Sequence, residues 1–251
     1  MQRNACTYLE RPNAAVMMNL LFMVICAFCL LSCDRLKDDA DETDLDADDG
    51  IYPTKEQLDK KYAKEWNKPE YQKAHTAKQA EYLTAEEKEV YYYLNLARIN
   101  PPLFARTYAN GYKDDHGWAH GYAWDERKKS LIKTLSGMKA IGLMEPDEAL
   151  FKTARCFAYE GGRLGITVHD RSLTGCSNGW HAECRHYGGV NNGLSIVMSF
   201  LIDAGENNAA LMHRDILLDS RYDRMGVSIQ PHSRYQLNAV LDFKRKESSS
   251  F

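Results

Sequence analysis

The chain lacks the positive charge that binding to a phosphate backbone requires. Its net charge is -3 over 251 residues, with no global basic excess, which argues against a nucleic-acid partner. Several catalytic signatures are also missing. His-Glu-x-x-His is absent, so the helical zinc-protease pattern is excluded. His213-Arg214-Asp215 copies the start of a kinase catalytic loop, but Ser220 stands where its Asn belongs. There is also no Gly-rich loop and no Asp-Phe-Gly. His181-Ala182-Glu183 has the letters of a zinc deaminase, yet no cysteine follows Cys184 to complete the ligand set. Gly175-Cys176-Ser177-Asn178-Gly179 spells a serine-hydrolase elbow without the buried strand before it or a clear helix after it. No internal repeat is visible. The remaining composition, 44% hydrophobic, is that of a globular protein with enough chain for one good-sized core.

The longest apolar run, residues 17–32, is interrupted only by Asn19 and Ser32. It is short for a membrane span, which needs roughly 20 residues, and it suits the apolar region of a signal peptide over residues 1–32. The competing reading is an uncleaved anchor helix. The run closes on Leu30-Leu31-Ser32-Cys33, which resembles a bacterial lipobox and implies an acylated Cys33. Residues 34–50 then hold nine acidic and two basic side chains, so residues 33–50 read as an acylated cysteine and a self-repelling tether. An acidic stretch behind the acylated cysteine also resembles surface-export signals of Gram-negative lipoproteins; a plain spacer fits the composition equally well. Taking the presequence, at +1, and the tether, at -7, from the total leaves residues 51–251 at about +3. The expected location is therefore the cell envelope, at the outer membrane or cell surface, with the membrane itself as a partner through the lipid.

Residues 51–83, rich in Lys, Glu, Gln and Tyr, predict a helical lead-in leaning on the surface of a domain spanning 84–245, with 246–251 as a tail. Thr84 and Glu87 have capping-box spacing. Val90, Leu94 and Ala97 make an apolar face, and Pro101 stops that helix. Asn110-Gly111 marks a turn. Residues 113–124, with His116 and His120, suit a recognition loop or a self-packed excursion. A second helix is expected over 130–141. A third begins at Pro146, buries Leu150, Ala154, Phe157 and Ala158, and ends at Gly161-Gly162. Leu194, Val197, Met198 and Leu201 recur at helical spacing, and Gly205 can end that helix. A helical turn at 212–214 and two β-like runs, 225–229 and 237–243, close the domain as a hairpin. Besides the acylated Cys33, three cysteines remain in the exported domain, Cys156, Cys176 and Cys184. Cys176 and Cys184, eight apart around Trp180, are the expected disulfide, which leaves Cys156 a buried free thiol.

The order Leu94-Asn95-Leu96-Ala97-Arg98 with Pro101, then Leu150 and Ala154, His169, His213-Arg214, and Tyr222 with Gly226-Val227 resembles the CAP superfamily. Its members include cysteine-rich secretory proteins, venom allergens and plant pathogenesis-related proteins. The resemblance implies an α+β fold, an α-β-α sandwich with a small antiparallel sheet between helical layers. It also implies a cleft of two histidines and two acidic residues, matched here by His169, His213, Glu183 and Asp203. Glu183 lacks the flanking Gly and Asn of the family motif, and Asp203 is one methylene shorter than the family's Glu; Glu206 is a nearby substitute.

Two imidazoles and a carboxylate suit zinc with an open position, or acid–base work; hydrogen-bonded structural histidines are the third possibility. Arg214 reads as a fold residue pairing an acidic side chain. The altered acidic set favours binding over catalysis. The expected function is a surface-anchored binding module whose ligand is a lipid, glycan or host protein. The alternatives are a hydrolase using His169 and His213, acting as a protease or in cell-wall turnover, and a structural lipoprotein.

Overall fold

In a computed structural model the described residues are 53–113, 122–188, 192–204 and 211–246, all within the compact unit Gly50–Phe251. The signal peptide, Cys33 and its tether, His116, His120, Gly205, Glu206 and residues 247–251 lie outside them. No described helix is long and apolar enough to cross a membrane.

Helix α1, Lys55–Trp66, opens on a capping box of Thr54 and Gln57. It does not lean on the surface as expected. Leu58, Tyr62 and Trp66 are buried in the main core, and the Trp66 indole donates to Thr107 Oγ1 at 3.1 Å. Three large buried side chains, at about 1.5–3 kcal/mol each, make the lead-in part of the fold. The sequence hid this because its apolar residues are few and aromatic. A 3-10 turn, Pro69–Ala74, leads on to helix α2, Ala85–Ile99.

Helix α2 starts as expected, with Thr84 Oγ1 accepting from Glu87 N at 3.2 Å and Thr84 N donating to Glu87 at 2.9 Å. The other Glu87 oxygen accepts from Ile229 N at 2.9 Å, so one carboxylate caps a helix and holds a strand. Pro101 does end α2 and begins α3, Pro101–Phe104, which continues as a π-helical turn, Ala105–Ala109. Asn110 and Gly111 remain helical, contrary to the expected turn.

Helix α4 is Tyr122–Gly137, shifted toward the N-terminus from its expected position. Pro146 lies in a two-residue strand, β1, Glu145–Pro146; Asp147 then caps α5, Glu148–Leu164. Gly161 and Gly162 do not end α5. The helix runs on to Gly165, whose φ of 68° supplies the left-handed exit. Ile166 N and Ser233 N satisfy the carbonyls of Gly161 and Gly162 at 2.8 and 2.9 Å.

Strand β2, Ala182–Gly188, was not legible in the sequence. Both of its faces are covered, so burial does not alternate, and it carries Glu183 and Arg185. Helix α6, Gly193–Ile202, buries Leu194, Val197, Met198 and Leu201 as expected. It ends at Asp203, two residues before Gly205. Helix α7, Met212–Leu217, precedes the hairpin of β3, Tyr222–His232, and β4, Gln236–Arg245.

The strand order is β1-β3-β4-β2. The β1–β3 pair is parallel and the others antiparallel, so the sheet is mixed. The fold is α+β. Register decides which face each strand residue serves. Gly226↔Asp242 and Ser228↔Val240 face α5, where a Cβ on Gly226 would stand 2.1 Å from the backbone of Leu150 and Phe151. Met225↔Phe243 and Val227↔Leu241 face the opposite way, into the core shared with α2 and α6. The sheet therefore lies between helices on both sides.

The disulfide joins Cys156 to Cys176, not Cys176 to Cys184. Cys176 packs with Ala154, Phe157, Ala158 and Val240 on the α5 face, whereas Cys184 is buried in the core on the other face. The sheet stands between them. Cys184, not Cys156, is the buried free thiol.

Candidate functional site

The loop from α5 to β2 carries His169. Two devices hold it: the disulfide to α5, and the side chain of Arg171. All five guanidinium donors of Arg171 are used. Nε donates to Glu183 Oε2 at 2.8 Å, and Nη2 donates to the same oxygen and to Asp242 Oδ1 at 2.6 Å. Nη1 donates to the carbonyls of Thr153 and Ser177 at 2.9 and 3.2 Å. The other Glu183 oxygen meets His169 Nδ1 at 2.6 Å. The Glu183 side chain is 2% exposed and that of His169 54%. A buried carboxylate thus fixes a solvent-facing imidazole. The guanidinia of Arg171 and Arg185 stand 4.6 and 4.3 Å from the centre of the Phe157 ring.

Asp242 completes this buried group. It sits opposite Glu183 in the β2–β4 register, and Thr153 Oγ1 is 2.6 Å from its Oδ2. Burial pushes its carboxyl up to about 7; Arg171 and Thr153 oppose the rise and Glu183 adds to it. Thr153 Oγ1 also lies 2.9 Å from Leu150 O. When Asp242 is ionised the threonine donates to it. When Asp242 is protonated it donates to the threonine, which turns its own hydrogen to Leu150 O. Both protonation states keep their hydrogen bonds.

The second histidine is held at the end of α6. Asp203 takes φ of 56°, a left-handed conformation that Asp tolerates better than most residues. Its oxygens meet His213 Nδ1 at 2.8 Å and His213 N at 3.1 Å. These donors satisfy a carboxylate at a helix C-terminus, where the macrodipole disfavours it. Arg214 supplies positive charge to the same helix end, donating to Leu201 O and Ile202 O at 2.5 and 3.0 Å. It also reaches Ser130 Oγ and Arg127 O on α4 at 3.1 and 2.9 Å. Arg214 is a fold residue, as expected, but its partners are carbonyls and a hydroxyl, not an acidic side chain. One turn before Asp203, Ser199 Oγ meets His186 Nδ1 at 2.8 Å.

The expected four residues therefore form two pairs, His169–Glu183 and His213–Asp203. The first is built on the α5 face of β2. The second stands at the end of α6, the helix packed on the opposite face. Both lie close to β2: burial drives the Cys184 thiol well above its ordinary range, and Asp203 and Glu183 both add to the rise.

Zinc does not fit these residues as they stand. Among the described residues no group of three or more His, Cys, Asp or Glu side chains is placed to hold a metal. Glu183 is committed to Arg171 and His169, and the guanidinium repels a cation there.

The chain matches no family model, no curated protein and no solved structure. The structure adds Arg171, Asp242 and His186 to the residues singled out by sequence. Arg171 and Asp242 are 71 positions apart, and only the closing of β4 onto β2 brings them to one place. An acidic residue within the apolar run of 237–243 was the one signal available in the sequence.

Proposed function

We propose that the chain is a membrane-tethered, extracytoplasmic binding module of the CAP type. The observation that supports this reading is the exposed His169 ring, held by the buried Glu183–Arg171–Asp242 group. A side chain fixed in this way presents a hydrogen-bonding edge to a ligand without paying for its ordering. The hydrolase alternative needs His169 and His213 to act on one substrate; Glu183 holds the first from β2, and Asp203 holds the second at the end of α6. The acylated Cys33 supplies the tether, and the ligand meets the His169 face.

The test compares wild type with His169→Ala and His213→Ala. Each is assayed for hydrolysis of casein and of peptidoglycan, and for binding to arrayed glycans and lipids. Binding that His169→Ala weakens at least tenfold, with no turnover by the wild type, is expected. Turnover lost in both variants would establish the hydrolase instead. In cells, Cys33→Ala releases the protein from the membrane fraction; retention there would refute the tether.

A further inference from the structure

One end of the sandwich carries exposed apolar residues beside an arginine that is unpaired among the described residues. Leu164, the last residue of α5, is 47% exposed, and Val168 is 52% exposed. The β3–β4 turn lies against them: Arg234 Nε and Ser233 Oγ stand 3.1 and 2.9 Å from where a Cβ on Gly165 would be. The half-buried rings of Tyr187 and Tyr235 pack with His232 in a triangle of centroid distances 5.2 to 5.3 Å. Tyr187 Oη, Arg185 Nη2 and His232 Nε2 lie 3.5, 3.0 and 3.3 Å from Ile166 O, so the segment that carries Leu164 and Val168 runs beside the aromatic rings. Arg163 shares its charge with Glu160 at 2.9 Å. Arg234 is exposed, and among the described residues no acidic side chain stands within ion-pair distance of it.

We propose that this surface is a docking site for an anionic phospholipid bilayer. Two aliphatic tips, two half-buried tyrosine rings and the unpaired Arg234 match the layered chemistry of the water–bilayer boundary. Arg234 complements lipid phosphate, where one basic side chain near an anionic surface is worth about 1 kcal/mol, or about fivefold in affinity. A stacked sugar fits less well. The three rings meet at interplanar angles of 47 to 81° and present no common flat face. Membrane attachment through acyl chains gains from a second contact, and this surface supplies one. It rests on the membrane tether of the proposed function and not on the His169 ligand site.

The test uses the mature chain, residues 33–251, with Cys33→Ala so that no acyl chain contributes. Co-sedimentation is measured with phosphatidylglycerol–phosphatidylcholine vesicles and with phosphatidylcholine alone. Binding is expected only to the anionic vesicles and is weakened by 0.5 M salt. Leu164→Ser with Val168→Ser lowers it at least tenfold, and Arg234→Gln about fivefold. Met212→Ser, which alters another exposed apolar residue (61%) on α7, leaves it unchanged. Thermal melts verify that every variant is folded. No binding by the parent chain, equal binding to both vesicles, equal binding by the patch variants, or an equal loss in Met212→Ser would each overturn the proposal. Retained His169-dependent ligand binding in that case would leave the binding-module reading standing, so the two failures are distinguishable.

Discussion

Replacing Asp242 with Asn should change how stability depends on pH more than it changes stability at any one pH. The folded protein holds the Asp242 proton up to about 7, against 3.8 for the unperturbed group. The sign follows from linkage. Between these values the folded state binds a proton that the unfolded chain has released, so stability falls as pH rises. The contribution is fully present below about pH 4 and lost as pH passes 7. The interval corresponds to about 4 kcal/mol. Asn copies the protonated acid: its amide donates to Thr153 Oγ1 and its oxygen still accepts from Arg171. Urea unfolding of both proteins at pH 4 to 8 gives the difference in free energy at each pH. Wild type is expected to lose about 4 kcal/mol relative to Asp242→Asn over that range. The difference is the right quantity because other groups titrate in the same window with the opposite sign. Burial holds His75 and His232 below the ordinary imidazole range, so both favour the fold more as pH rises. A difference that stays constant within about 1 kcal/mol would refute the assignment of a protonated, buried Asp242.

Two further outcomes test the frame around the site. Cys156→Ser should cost about 3 kcal/mol by opening a link between residues 20 apart. Non-reduced peptide mapping should find Cys156 joined to Cys176, with Cys184 alkylated only after unfolding; a Cys176–Cys184 peptide would contradict the fold. Arg214→Ala should cost roughly 3–5 kcal/mol, because carbonyls at the end of α6 lose buried charged donors; a loss under 1 kcal/mol by denaturant titration would show that water replaces the guanidinium.

Local signals were readable where one residue type performs one local task. Thr84 and Glu87 announced a capping box, Pro101 a helix end, and the alternating apolar residues of β3 and β4 a hairpin. The two histidines and two acidic residues had no such local signal and were singled out only by the resemblance to the CAP superfamily. Arg214 was assigned to the fold for a sound reason, but its partners were mistaken. An arginine's charge suggests a carboxylate, while the carbonyls it caps leave no mark in the sequence.

The sequence by itself marked the main helices and the closing hairpin, because hydrophobic period distinguishes helix from strand over ten or more residues; the α+β layering was what the resemblance to the CAP superfamily implied. Tertiary structure alone decided which residues meet. Strand β2 carries charge on its buried face and covers both faces, so its pattern has no period to read. Its pairing with β4 puts Glu183 beside Asp242, brings Arg171 between them, and turns Cys184 away from Cys176 across the sheet. These contacts join positions tens of residues apart, and their energies depend on the low-dielectric interior that exists only once the layers have closed.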